Sequence, residues 1–417
     1  MKTYYCIDLK TFYASVECVE RGLDPFATNL VVADPSRGKG GICLAITPKM
    51  KMLGIKNRCR IYEIPSKINY IVAVPRMSKY IEYSANIYSR YLKYFSKEDI
   101  HVYSIDEVFI DATSYLKLYK MNSIELAKMI MKDIYDNFGI TATCGIGTNL
   151  YLAKVALDIL SKHSITNIAV LDEEKYKQEL WHHKPLIDFW QIGKGIERRL
   201  NKKRIFDMCD LANFDERKLY KEFGINAEFL IDHAWGRENC TIADIKNYKP
   251  KSNSISNSQI LFKDYNYEDA KMVLIEMVEL LSLELIRKHK LANEIHLYIG
   301  YSKDCIPASG GSKRLIISTN TYSNLTEEFV KLYEKTTNKI MPIRRIGISF
   351  GKLESDEVEQ LSLFENQEEK DKERKLENAI NEIKIKMGKN SIIRAMDLQE
   401  NATKIIRNKL IGGHNGV

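Results

Sequence analysis

The chain has 417 residues, a formal net charge of +8, 45% hydrophobic and 28% charged residues, enough for two to four domains with a sizeable core. Its eight cysteines are scattered without a Cys-x-x-Cys spacing, which argues against disulfide and zinc frameworks and for buried thiols in a reducing compartment. No segment reads as a signal peptide or a membrane span, so a cytoplasmic protein without a membrane partner is expected.

The charge is uneven. Residues 353–417 hold 11 Lys and Arg against 13 Asp and Glu, so the positive charge belongs to residues 1–352. A basic body suits a polyanion such as nucleic acid, although a lysine-rich surface gives the same balance.

In chain order, residues 2–8 predict a buried strand and 11–20 the helix that follows. Short apolar runs at 30–33 and 41–46 flank a basic, turn-rich loop from Asp34 to Gly41. Residues 78–95 predict a helix with Ile81, Ser84, Tyr88, Tyr91 or Leu92, and Phe95 on one stripe. Residues 101–105 and 108–112 alternate as a hairpin tipped by Asp106-Glu107. An amphipathic helix over Ser123–Phe138 is closed by Gly139 in a left-handed cap, and a strand at 140–146 and a helix at 151–162 follow. This order fits a ferredoxin-like βαββαβ sheet carrying an insertion. Residues 170–238 are helical and loop-rich, and 239–258 read as a polar tether. Residues 259–351 give a second α+β unit, with helices at 268–289 and 326–335. After Gly351 the chain turns charged and is expected to be extended or partly disordered.

Two segments carry the chemistry. The first runs from Tyr4 through Asp8 to Phe12, Tyr13 and Glu17; the second is Tyr103-Ser104-Ile105-Asp106-Glu107-Val108-Phe109-Ile110-Asp111. Three carboxylates meeting at neighbouring strand ends need cations, and hard oxygen ligands in that number suit Mg²⁺, two of which clamp the attacking and leaving oxygens of a phosphoryl transfer. A solvated turn is the ordinary reading of Asp-Glu at a hairpin tip, but apolar flanks on both sides weaken it. Asp111, further along, is expected to be structural. Phe12 and Tyr13 fit either a core or a floor beneath a bound sugar. Lys154, one polar residue on an apolar helix, fits either snorkelling or triphosphate binding. Gly193-Lys194-Gly195 fits either a plain turn or the backbone of a helix-hairpin-helix contacting a DNA phosphate. Gln360-Leu361-Ser362-Leu363-Phe364 is an apolar peptide in a charged tail, which points to a partner pocket.

Together these residues resemble the Y-family translesion DNA polymerases, the UmuC/MucB branch more than the DinB branch, collinearly along nearly the whole chain. Asp8 with Phe12-Tyr13 is similar to the family's first motif and Ser104 to Glu107 to its second. Ala153-Lys154-Val155-Ala156 resembles the segment whose lysine holds the incoming triphosphate. Gln360 to Phe364 resembles the pentapeptide that docks on the sliding clamp. The segments from Gly388 to Ala395 and from Ile411 to His414 are similar to the tails of Gram-positive members.

The resemblance implies an α+β right-hand polymerase: a ferredoxin-like palm (1–10 and 77–168), small fingers (11–76), a helical thumb with a helix-hairpin-helix (169–238), a linker (239–253), an α+β little finger (254–352) and a clamp-binding tail (353–417). It implies that Asp8, Asp106 and Glu107, with the carbonyl of Leu9, hold two Mg²⁺ ions. Tyr13 is then the steric gate, Phe12, Tyr13, Lys51 and Lys154 bind the nucleotide, and Gly193, Lys194 and Gly195 meet DNA. The implied partners are primer-template DNA, dNTPs, the sliding clamp and, as a candidate, an accessory subunit. The implied function is low-fidelity synthesis past damaged bases without proofreading, in DNA repair and the SOS response, at the nucleoid of the cytoplasm. One departure stands out: DinB-type fingers carry Tyr-x-x-Arg where this chain has Pro48 and Lys51, and lysine offers a point charge without a bidentate fork. A clamp-tethered DNA-binding accessory factor is the alternative that this departure motivates, and a nucleotide cyclase on a similar palm is a third.

Overall fold

Tyr4–Leu9 is apolar on both faces except at Asp8, and it forms the middle of a five-stranded sheet. The computed structural model describes residues 2–250, 253–357 and 367–416. They fall into two units that divide between Tyr248 and Lys249.

In the first unit the strand order is Ile100–Val102, Glu107–Asp111, Tyr4–Leu9, Ala142–Gly147, Ile168–Leu171. The first four strands are antiparallel to their neighbours and the last is parallel to the fourth. This is the ferredoxin-like order, with one strand added at the edge. Alternation sorts the residues between two faces. Tyr5, Ile7, Leu9, Val108 and Ile110 pack with helices Met77–Tyr91 and Ser123–Phe138. Tyr4, Cys6 and Phe109 face the other way, beneath Leu150, Ala153 and Leu157. That second cover begins as helix Leu150–Val155, widens into a π turn at Ala156–Leu160 and tightens at Ser161–His163, so the helix expected at 151–162 is three conformations in series. It lies so close to the sheet that a Cβ on Gly145 would stand 2.1 Å from the Ala153 carbonyl oxygen, and one on Gly147 would stand 2.2 Å from the Ala153 nitrogen.

The insertion forms a small sheet in the order Ala45–Ile46, Leu30–Val32, Ile71–Ala73 over its own core of Val31, Cys43, Ile46 and Met50. Five helices, Glu173–Leu180, Lys194–Lys202, Met208–Ala212, Glu216–Phe223 and Ala227–Ala234, gather around Tyr176, Phe189, Leu200, Leu219 and Leu230. The expected tether is only partly one. Thr241 and Asp244 form a capping box that starts helix Ile242–Asn247, and Ile242 packs with Tyr4 and Phe109.

In the second unit the sheet order is Ser309–Thr319, Lys290–Tyr301, Ile343–Gly351, Ile255–Tyr265, with helices Tyr267–Arg287 and Tyr322–Thr336 packed on it. The expectation of an extended or disordered tail is overturned for the described residues. Gln367–Met387 is a helix, and the chain after it folds back over Tyr267–Arg287. The physical reason is charge: Glu276 and Glu279 are buried in the Tyr267–Arg287 helix and need partners. Glu276 accepts from the Thr403 amide (3.1 Å) and hydroxyl (2.8 Å). Glu279 accepts from Lys384 (2.9 Å) and from Lys404, which also meets Asp397 (2.6 Å). Among the described residues no helix is long and apolar enough to cross a membrane. All eight cysteines are free, and five are buried.

Candidate active site

The central strand and its hairpin neighbour place the three acids. Asp8 stands directly opposite Glu107 in antiparallel register, and the Leu9 amide donates to the Asp106 carbonyl (2.9 Å). Opposed residues share a face, so Asp8 and Glu107 lie on the side covered by Leu150–Val155. Asp106 sits in the loop that closes the hairpin, where the Ser104 hydroxyl holds its carboxylate at 2.6 Å. The tip is therefore residues 103–106, and Glu107 is the first residue of the returning strand. Asp111 caps the next turn by accepting from the Thr113 amide (3.0 Å), a structural part.

The charges are concentrated. Burial, aided by the Asp106 and Glu107 charges and opposed by Lys162 and Lys154, pushes the Asp8 carboxyl up to about 7. Glu107 is buried, with Lys154 Nζ 2.8 Å from each carboxylate oxygen and Cys6 Sγ 3.1 Å from Oε1. Lys154 also reaches Asp158 (2.9 Å), which in turn pairs with Lys162 (2.7 Å). Among the described residues no three His, Cys, Asp or Glu side chains already stand as a metal cage. The donor chemistry nonetheless suits a hard cation: Asp8 and Glu107 stand opposite each other in register, the Leu9 amide ties the Asp106 backbone to the same strand end, and carboxylate and carbonyl oxygens are what such an ion takes.

Thr11 takes a left-handed conformation (φ 47°, ψ 45°) and turns the chain sharply from the acid-bearing strand into helix Phe12–Val19. A non-glycine residue held there is strained, and the Ser15 hydroxyl, donating to the Lys10 carbonyl at 2.7 Å, helps fix the turn. Phe12 lies in the core, whereas Tyr13 is half-buried with its ring stacked on Tyr80 (centroids 4.5 Å, 18° between planes). Burial, then the Asp106 charge, raises the Tyr13 hydroxyl's pKa, and Arg58 opposes this. Tyr80 is held in turn: its hydroxyl donates to Glu17 (2.8 Å), which is clasped by Arg76 (3.0 and 2.9 Å). Burial would raise the Glu17 carboxyl, but the hydrogen bonds from Arg76, Arg21 and Tyr80 hold it below its ordinary value.

Lys51 lies in the short helix Pro48–Met52. Burial lowers its pKa, Asp8 opposes the shift, and Lys162 and Lys10 add to it. Sequence reasoning missed Lys10, Lys162 and Asp158. Lys10 follows the strand end and donates to Asn167 (2.7 Å), a partner too distant in sequence for local pattern to suggest. Gly193 is the N-cap of helix Lys194–Lys202, which Lys194 opens. A Cβ at Gly193 or Gly195 would meet nothing within 4 Å, so internal packing does not require glycine there. Gln360, Leu361, Ser362, Leu363 and Phe364 lie outside the described residues.

Known proteins share this organisation. The impB/mucB/samB family matches residues 7–158, and the C-terminal domain of that family matches 252–363. The chain is 34% identical over 418 residues to the UvrX protein of Bacillus subtilis (strain 168), whose name assigns it to UV-damage repair, covering 99% of this chain and 97% of that one. It is 31% identical to DNA polymerase IV 2 of the same organism, covering 99% and 98%. A solved Y-family DNA polymerase chimera, Dbh-Dpo4(243-245)-Dbh, shares the fold with a TM-score of 0.63 at 21% identity, covering 84% of this chain and 99% of the chimera.

Proposed function

The chain belongs to the impB/mucB/samB family, the Y-family DNA polymerases, and from that premise we propose that it copies damaged templates. Its activity is that of a DNA-directed DNA polymerase. The observation that carries the finer reading is the register of Asp8 against Glu107, with Asp106 beside them and Lys154 above.

In this reading Asp8, Asp106 and Glu107 with the Leu9 carbonyl hold two Mg²⁺ ions. When bound, the ions make the primer 3′-hydroxyl a better nucleophile and neutralise the departing pyrophosphate. Lys154 and Lys51 neutralise triphosphate oxygens as point charges. Tyr13, braced by Tyr80, lies under the sugar and leaves no room for a 2′-hydroxyl. The amides of Gly193, Lys194 and Gly195 receive a DNA phosphate at a helix N-terminus. The open sheet face of the second unit, where Ser256, Ser258, His296, Tyr298, Arg345 and Ser349 line a shallow groove, follows the duplex backbone without reading sequence. Gln360 to Phe364 tether the enzyme to the sliding clamp.

Primer extension with Mg²⁺ on intact and lesion-bearing templates tests this. Extension with dNTPs but not rNTPs, lost in Asp106→Ala/Glu107→Ala, is the expected result. A folded, DNA-binding protein that extends no primer even with the clamp present would instead favour the accessory-factor reading, which the Pro48 and Lys51 departures motivate.

A further inference from the structure

Glu107 already has a cation. Lys154 Nζ lies 2.8 Å from both of its carboxylate oxygens, the pair is buried, and the Cys6 thiol stands on one of the same oxygens at 3.1 Å. A divalent cation needs those oxygens too. An ammonium and a divalent cation on one buried carboxylate repel strongly at such short range, so the two ligands compete. Lys154 also has a second seat, since Asp158 holds the same amine at 2.9 Å from the π turn one step along the segment. A small movement away from Glu107 therefore leaves the ammonium paired. The two glycines beneath the helix make the juxtaposition, because only their missing side chains let the Lys154 segment settle onto the strand beside the acids.

We infer that Lys154 is a resident counter-ion of Glu107: it competes with divalent cations for the nucleotide-free site and gives way, through Asp158, when metal and triphosphate arrive together. The inference rests on the metal-site reading above and adds an order of events to it. A site that admits metal only weakly by itself loads it with the nucleotide, because the triphosphate offers Lys154 a new anion as Mg²⁺ takes its old one.

The test is Mn²⁺ binding to the full chain without nucleotide or DNA, read as free Mn²⁺ by electron paramagnetic resonance. Lys154→Met keeps the stem and removes the charge, and it should bind Mn²⁺ about tenfold more tightly than wild type, the scale on which outer-shell partners tune metal sites. Asp158→Asn removes the second seat and should bind it more weakly. A general loss of folding would weaken both, so the opposite signs separate the inference from damage to the fold. Unchanged or weaker binding in Lys154→Met overturns the inference, and if that variant does not fold, unchanged binding in Asp158→Asn overturns it alone. Asp8→Asn is the control for the underlying reading: if it binds Mn²⁺ as wild type does, the metal site itself is misassigned, and the counter-ion idea falls with it for a different reason.

Discussion

At Gly145 the sheet and the segment above it meet backbone to backbone. A methyl group there would stand 2.1 Å from one main-chain atom and 2.3 Å from another, so neither partner can yield by rotating a side chain. Gly145→Ala should cost about 3 kcal/mol of stability, checked by urea unfolding, and should lift Lys154 away from Glu107. Nothing in the local pattern announces this. The acids were legible because each interrupts an apolar run, whereas the glycines matter through a segment that packs across them, and the Cys6 contact with Glu107 joins residues 101 positions apart. Glu377 gives a second residue-scale prediction. Its burial, with the charges of Glu373 and Glu279 adding and the Tyr322 amide and Arg394 opposing, raises the carboxyl from 4.5 to about 7. The folded state therefore favours the protonated form, so the stabilisation is full below pH 4.5 and is lost as pH rises to about 7. Glu377→Gln should remove that slope: relative to wild type, its thermal midpoint should climb between pH 5 and 7 and then run parallel.

Among elements, the docking of Phe12–Val19 on Met77–Tyr91 shows where periodicity misled. The expected stripe is buried at its far end, at Tyr91 and Phe95, but its first residue, Ile81, is 45% exposed, and Tyr80 and Ile87, outside the stripe, are buried. Hydropathy favours isoleucine over tyrosine as a core residue, but Tyr80 finds a buried acceptor in Glu17, which satisfies its hydroxyl and lets the ring go inward. The helix bounds themselves were well marked at Ser123–Phe138, where Asn122 caps one end and Gly139 (φ 65°) closes the other. Arg76→Met should leave the buried Glu17 carboxylate with fewer partners and lower stability by about 2 kcal/mol in denaturant titration. If Tyr13 selects the sugar through its stack on Tyr80, the same variant should incorporate rNTPs more readily.

For the whole molecule, a second α+β unit was legible at 259–351 after a polar stretch, but the folded tail was not. Its composition is that of a solvated segment, and only tertiary structure reveals that Lys384, Thr403 and Lys404 answer the acids of the Tyr267–Arg287 helix. Glu276 and Glu279, two charges within an otherwise apolar helix, seat the tail. Ending the chain after residue 357 should strand both carboxylates and destabilise the second unit by about 3–5 kcal/mol. Hydrogen exchange should then lose protection across 267–287, and Glu276→Gln/Glu279→Gln in the shortened chain should restore part of it.

The same pairing sets a schedule for synthesis. Glu279 leaves the ribosome 125 residues ahead of Lys404, its buried partner. Throughout that interval the nascent helix must keep an acidic stripe hydrated or borrowed by a chaperone, and it cannot settle until translation has passed the last of its counter-charges. Maturation of the second unit is thus a late event by construction, since the helix made first is completed by the segment made last.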